Sequence, residues 1–322
     1  MTTPLVTVLI PAFNAAATIR RALDSALAQT YRHLEIIVVD DGSKDGTSEI
    51  VSAYNDSRIR LVRLPSNRGE SGAMNAGIAA AKGDLVAFLD ADDEWLPAKL
   101  AIQVNAMCDR PNAAMVSCGC RFVDQQGDVL RDEAGVPSPP LKGSEVWRSL
   151  LAETLIAKPS VVARTAALRA VGSFNTDLVI GADQDMWIRL GIIGDIEFVD
   201  DILTIVHDTA GSLTKVHASR IDTYMLPMIK QHIDQQRHLL SRHEIRHILG
   251  MRYASVGRNL YTAGSLPRGL SLILRAMLRG YRIRQNLWYL ATASPPARMA
   301  KQLLRRPASG ARGESGKTPI HT

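Results

Sequence analysis

Along the first ninety residues, short, mainly apolar runs alternate with stretches in which apolar residues recur every three or four positions. Val6–Ile10, Leu34–Val39, Ile59–Leu64 and Leu85–Leu89 are the runs, and each predicts a strand. Ala15 to Gln29 puts Ile19, Ala22, Leu23, Ala26 and Leu27 on one helical face. Thr47 to Tyr54 predicts a second helix, and Gly72 to Ala81 a third made of small residues. Strands alternating with helices imply a mainly parallel sheet covered on both faces. Such sheets bind ligands at the C-terminal ends of their strands. Polar residues stand at those ends: Asn14, Asp40 with Asp41, and Asp90 with Asp92.

After Pro97 the pattern loosens. A helix (Leu100 to Met107), a strand (Ala114 to Val123), a turn at Gln125-Gln-Gly-Asp128 and a Pro-rich loop (Val136 to Leu141) follow. Next come a helix over Glu145 to Leu151, an apolar stretch at Val161-Val-Ala163, and a helix carrying Asp183 to Leu190. From Ala218 to Ala291 the pattern is helical and basic. From Ser294 the chain is rich in Pro, Gly, Arg and Ser, which predicts a disordered tail.

The 322 residues suffice for one large domain or two modest ones. Without an uncharged apolar run of membrane-spanning length, and with no basic leader before the first strand, neither a transmembrane helix nor a signal peptide is expected. Cys108, Cys118 and Cys120 fit a reducing compartment, and Cys118 and Cys120 read as packed thiols on one strand face. The net charge of +6 conceals a division. From Arg237 onward sixteen Lys or Arg face only Glu244 and Glu314, which makes +14; the rest holds 22 basic and 30 acidic residues, which makes −8. Basic segments of this kind seek phosphate, and the helical spacing of Leu270, Ile273, Leu274, Met277, Leu278 and Tyr281 beside Arg275, Arg279 and Arg282 directs the expectation to an anionic membrane surface rather than nucleic acid.

The run Phe88-Leu-Asp-Ala-Asp-Asp-Glu-Trp95 ends a buried strand in four carboxylates within five positions. Such a cluster needs a counter-charge. Asp90 and Asp92 offer hard oxygen ligands suited to Mg2+ or Mn2+, ions that leave coordination positions open to phosphate oxygens.

Read in order, VTVLIPAFNAAATIRRALDSALAQTY, LEIIVVDDGSKDGT, NRGESGAMNAGIAAAKGDLVAFLDADD and GSFNTDLVIGADQDMWIRL strongly resemble family 2 glycosyltransferases, inverting enzymes of the GT-A fold, over residues 5 to 214. The resemblance implies an α/β GT-A domain (Rossmann-like, a mainly parallel central sheet with helices on both faces) at 1–215. A basic C-terminal helical extension at 216–293 and the tail at 294–322 would follow. It implies that the loop Pro11, Ala12, Asn14 and the pair Asp40 and Asp41 hold the base and ribose of a nucleotide-sugar donor, UDP-sugars by default. Arg68, Gly69, Asn75, Asp90 and Ala91 would complete the donor site. Asp90 and Asp92 would form the metal-binding motif, Asp92 nearest the metal, and Asp183 would be the catalytic base. The acceptor would be a hydroxyl of a glycan or lipid-linked glycan, in surface polysaccharide synthesis at the inner face of the cell membrane.

Three departures from the family pattern stand out. Met74 replaces a usual Arg, so a phosphate-side cation is missing and Arg68 is the candidate substitute. Ala182 stands where a Glu commonly precedes the base. Thr209 aligns with the usual histidine, which makes His207 the candidate third metal ligand. Asp185 is the candidate acceptor-facing carboxylate, and Trp187 reads as packing.

Other chemistries fit less well. His243-Glu244-Ile245-Arg246-His247 matches the zinc-protease helix, but the third ligand position carries Tyr253. A phosphoacceptor receiver module lacks the downstream Lys. An EF-hand fails on Trp95 and Ala101, and neither a Walker A nor a G-x-G-x-x-G sequence is present. A catalytically inert sugar-nucleotide-binding or scaffold protein of the same fold is the alternative from another class.

Overall fold

The computed structural model describes residues 3–133, 145–209 and 216–293. Half of the sheet is parallel, in the order β3-β2-β1-β4: β1 (Val6–Ala12), β2 (Leu34–Asp40), β3 (Ile59–Arg63) and β4 (Leu85–Phe88). The helices α1 (Ile19–Leu27), α2 (Thr47–Ser52) and α3 (Gly69–Ala80) make the crossovers. β1, β2 and β4 are mainly apolar because both of their faces are covered, whereas the edge strand β3 carries exposed Arg60 and Arg63. Val8, Ile10, Ile36 and Val38 pack with Ile19 and Leu23 of α1, while Leu9, Ile37 and Val39 pack with Ala73, Met74 and Ile78 of α3. Close approach of α3 requires glycine at position 77, where a Cβ would lie 2.0 Å from Leu9 Cδ1.

The other half of the sheet is mixed. β4 pairs antiparallel with β8 (Val162–Arg164), which pairs antiparallel with β6 (Ala113–Val123). β6 runs parallel to β9 (Asp195–His207), and β9 ends the sheet against β5 (Glu94–Trp95). β7 (Val129–Glu133) forms a hairpin with β6. Around this half lie α4 (Lys99–Asp109), α5 (Val146–Ala152), α6 (Thr165–Ala170) and α7 (Ala182–Ile193). The strand pattern assigned nothing to β5, β7 or β9. Asp195, Glu197, Asp200 and Asp201 interrupt the apolar positions of β9, and β7 is exposed throughout.

The basic region forms α8 (Ile221–Gln235), α9 (Arg242–Thr262), α10 (Leu266–Leu278) and α11 (Ile283–Ala293). These helices share one continuous core with the sheet. Ile221, Met225, Ile229, Ala254 and Leu260 belong to the cluster that contains Leu9, Phe88 and Trp187. Buried Arg252 donates from Nε to Leu151 O (3.0 Å) and from Nη2 to Leu150 O (2.8 Å), satisfying carbonyls at the end of α5. Gly257 lets α10 approach α9, since a Cβ there would lie 2.9 Å from Gly269 O. The expected apolar stripe on α10 divides between two faces. Ile273, with Leu272 and Ala276, is buried, whereas Leu270, Leu274 and Leu278 face solvent. Among the described residues no helix is long and apolar enough to cross a membrane. The Pro-rich loop, the 215/216 boundary and the tail at 294–322 lie outside the described residues.

Candidate active site

β1 is flanked by β2 on one side and β4 on the other, so successive crossovers diverge between β1 and β4. That is where a doubly wound sheet opens a crevice. The acidic loop Asp90–Glu94 leaves β4 at this point, turned by a bond from Asp93 N to Asp90 O (3.1 Å).

Its counter-charge inside the protein is Lys158, in a 3-10 turn (Lys158–Ser160) just before β8. The Lys158 side chain is only 7% exposed, and its Nζ lies 2.5 Å from Asp90 Oδ1 while also bonding Glu70 of α3. The remaining acids are held individually. Asp92 Oδ2 accepts from Thr209 Oγ1 (2.9 Å), and Asp93 Oδ1 accepts from His207 N (2.9 Å). Glu94 Oε1 meets His207 Nε2 at 2.9 Å, and the Arg21 guanidinium donates to the Asp92 carbonyl. Burial, then Asp93, Asp92 and Asp183, push the Asp90 carboxyl well above the ordinary range. Burial and Asp92 raise Asp93 against the His207 hydrogen bond. Burial brings Lys158 down to about 8, against the opposing pull of Asp183. The carboxylates touching Lys158 favour its charged form, so it is an ammonium at neutral pH. The cluster therefore holds more carboxylates than cations.

Asp183 enters from the first turn of α7, after Gly181 in the left-handed conformation (φ +81°). Its Oδ1 accepts from Gln184 N at 2.8 Å. Burial raises its pKa, while that hydrogen bond and Lys158 pull it down. Asp183 thus shares an electrostatic neighbourhood with Asp90 and Lys158. The helix start is anchored by Gln184, whose Nε2 donates to Leu150 O and Glu153 O and whose Oε1 accepts from Thr154. Trp187 is packing, edge-on to Phe88 and Phe174 at centroid distances of 5.5 and 6.2 Å. Asp185, the expected acceptor-facing carboxylate, is engaged within the protein. It is buried, with Oδ1 on His232 Nε2 (2.8 Å), which ties α7 to α8, and Oδ2 on the guanidinium of Arg189 (2.7 Å) one turn on in the same helix.

The expected donor residues divide. Pro11 and Ala12 close β1, and Asn14 follows at φ +50°, its Oδ1 accepting from Lys44 N (2.9 Å). Asp40 is buried and accepts from Ser43 N (2.9 Å) and the Ser48 hydroxyl. Buried Asp41 accepts from Arg68 N (2.7 Å), which draws Arg68 and Gly69 to the mouth of the crevice. The Asn75 side chain is engaged within the protein. Its Oδ1 accepts from Phe174 N (2.7 Å) and its Nδ2 donates to Phe174 O (2.9 Å), so the amide clamps backbone. Met74 is fully buried in the core, and Lys158 on Glu70, one turn earlier on α3, supplies a cation beside the acidic loop. Ala91 is half-buried between Asp90 and Asp92.

Among the described residues no group of three His, Cys, Asp or Glu is disposed to hold a metal by itself. The donor set still fits a shared hard cation. Two oxygen-bearing residues stand in an over-acidic pocket, as suits an ion whose remaining ligands are phosphate oxygens and water. His207 is not brought to Asp92; its ring is taken by Glu94, and Thr209 occupies the position beside Asp92. The zinc-protease reading fails on geometry. Glu244 is engaged in a capping box with Ser241, and His243 and His247 share their cavity with Arg246, Arg279 and Arg282, which repel a cation.

Lys158, Glu70, Arg21 and Thr209 were not among the expected site residues. The one available signal was a lysine inside the apolar stretch Ala157-Lys-Pro-Ser-Val-Val-Ala163.

Comparison with known proteins finds relatives of this chain in sequence and in fold. The sequence profile of Glycosyl transferase family 2 matches residues 7–178. The uncharacterized glycosyltransferase RP339 of Rickettsia prowazekii (strain Madrid E) is 32% identical over 224 residues, 69% of this chain and 69% of that one. A 103-residue stretch, 32% of this chain and 41% of the relative, is 42% identical to the UDP-Glc:alpha-D-GlcNAc-diphosphoundecaprenol beta-1,3-glucosyltransferase WfaP of Escherichia coli. Among solved structures, the mannosyltransferase PcManGT of Pyrobaculum calidifontis, in complex with GDP-Man and Mn2+, superposes with a TM-score of 0.62 at 22% identity. That superposition covers 94% of this chain and 84% of the other.

Proposed function

Since the chain belongs to glycosyl transferase family 2 and is a glycosyltransferase, we propose that it moves a sugar, with inversion, from a nucleotide-diphosphate donor to a hydroxyl of a lipid-linked glycan in surface polysaccharide synthesis. The carrying observation is the convergence of Asp90, Asp92, Lys158 and Asp183 at the switch point of the sheet. The base and ribose lie along the loop Pro11–Asn14 and the loops that Asp40 and Asp41 organise. Arg68 and Gly69 close the phosphate side. UDP-sugars are the favoured donors, in keeping with the donor named for the Escherichia coli relative.

The chemistry follows from the charges. Asp183 accepts the proton of the acceptor hydroxyl, and its burial-raised pKa brings it nearer to neutral pH, where a general base works best. The oxygen attacks the anomeric carbon from the face opposite the phosphate, and the bond to the diphosphate oxygen breaks. One attack on that face inverts the configuration, and no second carboxylate is required. Mg2+ or Mn2+, held by Asp92 and Asp90, supplies neutralisation of the leaving diphosphate when bound. Lys158, 2.5 Å from Asp90 Oδ1, favours the ionised form of Asp90 against the burial and neighbouring acids that raise it, and adds a fixed positive charge close to Asp183. The acceptor on a lipid diphosphate places the protein at the inner face of the cell membrane, in the cytoplasm.

A panel of nucleotide-sugars, scored for Mn2+-dependent transfer and nucleotide release, tests the proposal. Release from a UDP-sugar that stops on chelation is the expected result. Binding of a nucleotide-sugar without any release, with every acceptor tried, would instead support the inert scaffold.

A further inference from the structure

The basic helices hold a second feature that glycosyl transfer does not use. Where α9 begins against the turn between α10 and α11, Arg246, Arg279, Arg282, His243, His247 and Tyr281 line a cavity of about 330 Å3. The guanidinium groups are positioned by neutral partners. Arg246 Nε donates to Arg279 O (2.9 Å), Arg279 Nη1 to Arg275 O (3.1 Å) and Arg282 Nη1 to Gln285 Oε1 (3.2 Å). Arg279 lies over the Tyr253 ring at 4.7 Å and Arg282 over the Tyr281 ring at 5.5 Å. Among the described residues none of the three forms an ion pair with a carboxylate. Glu244, the nearest acid in sequence, is turned to Ser241 and Arg148. Arg282 also holds a left-handed backbone (φ +40°), a strained state for a non-glycine residue. Three arginines gathered without a counter-ion, one of them strained, describe an anion site. Their forked donors suit a phosphate group.

Exposed apolar side chains on the two helices that meet at this turn indicate which phosphate. Leu278 is 81% exposed and Trp288 66% exposed, and Ile283 and Leu287 are about half exposed. A second hollow, lined by Ile283, Arg284 and Gln285, adjoins the first at Gly280 and Arg282. A free phosphate gains nothing from these apolar residues, whereas a membrane lipid presents its phosphate and acyl chains together. We infer that this corner is a phospholipid headgroup site. The arginines take the lipid phosphate, and Leu278, Ile283, Leu287 and Trp288 enter the acyl boundary, with the indole at the interface. The inference localises the membrane contact of the proposed function but does not rest on donor chemistry, since binding needs no turnover.

The test uses the full chain with vesicles of phosphatidylcholine, alone or mixed with phosphatidylglycerol. The double variant Arg279→Gln/Arg282→Gln is compared with Arg237→Gln/Arg242→Gln, which removes the same charge outside the cavity. Thermal unfolding confirms that both fold. Wild type is expected to sediment with the anionic vesicles and to shift its tryptophan emission to the blue, a shift that Trp288→Phe removes. The cavity variant should bind about 30-fold more weakly, the loss of two basic contacts at the anionic surface, and the charge-matched variant, whose arginines lie outside the cavity, less than about 3-fold. Equal losses in the two variants would mean diffuse attraction and overturn the site. Wild type that ignores anionic vesicles, yet binds inorganic phosphate in a manner abolished by the cavity variant, would mark a free-anion site and overturn the lipid assignment. Wild type that binds neither overturns both.

Discussion

Replacing Lys158 with Met keeps the length of the side chain and removes its charge. The ammonium is 93% covered, lies 2.5 Å from Asp90 Oδ1 and bonds Glu70, with Asp183 close enough to shift its pKa. Two unit charges about 4 Å apart at an effective dielectric near 20 interact by ~4 kcal/mol. Removing one partner of a buried pair costs ~3–5 kcal/mol. For a chain of this size that corresponds to a fall in Tm of roughly 4–8 °C. The sign with pH is specific. Asp90, Asp93 and Asp183 have folded pKa values raised above their unfolded ones, so the stability they contribute is full below the unfolded range, near pH 4, and is lost as pH rises through the folded values. Without Lys158 that loss should deepen, and the gap between variant and wild type should widen from acidic to neutral pH. Mn2+ with nucleotide diphosphate should narrow it, because the ion restores positive charge to the cluster. Thermal unfolding across pH, with and without Mn2+ and UDP, reads all of this, and transfer in the variant should fall at least about 100-fold. A variant that melts with wild type at neutral pH and transfers at the wild-type rate would refute Lys158 as the counter-charge.

Asp92→Asn removes one hard ligand and should abolish Mn2+-dependent affinity for nucleotide diphosphate while leaving the fold intact; unchanged affinity by calorimetry in Mn2+ would sink the metal assignment. Asp183→Asn should bind donor nearly as wild type and turn over roughly 10²-fold more slowly or worse. Because Asp183 is raised by burial and must be ionised to act, wild-type transfer should climb with pH through a value above the ordinary carboxylate range, and a profile flat across that range would move the base elsewhere. Asp185→Asn should lower stability by ~3 kcal/mol or more in urea, since a buried carboxylate bonded to His232 and Arg189 is lost. Burial raises Asp185, but His232 and Arg189 bring it below its ordinary value, so its contribution is present above the unfolded pKa and disappears as pH falls through the lower folded one. Wild-type stability in Asp185→Asn would show that the ties from Asp185 are dispensable.

The sequence by itself determined the parallel half of the sheet. There β1, β2 and β4 are buried on both faces and read as mainly apolar runs, the edge strand β3 keeps its apolar residues around exposed Arg60 and Arg63, and each crossover helix carries its own periodicity. It also determined that Asp40, Asp41, Asp90 and Asp92 stand at strand ends, because a strand that stops in acids places them there whatever surrounds it. The ordered motifs carried Asp183 to a place beside Asp90, which local pattern alone could not do. The rest was decided by tertiary structure. β9 mixes acids with apolar residues because much of it is only partly covered, so its period is blurred, and β5 exists only because β9 is there to pair with it. Asn75 and Asp185 had the composition of site residues, yet the fold occupies them with Phe174, His232 and Arg189. A polar side chain satisfied by backbone or a buried ion pair looks the same in sequence as one that meets a ligand. Lys158 is the converse. Sixty-eight residues of chain separate it from Asp90, and only the antiparallel pairing of β8 with β4 brings the ammonium to the acidic loop. Charge neutralisation acts through space, over a few ångströms, and the order of residues does not carry that distance.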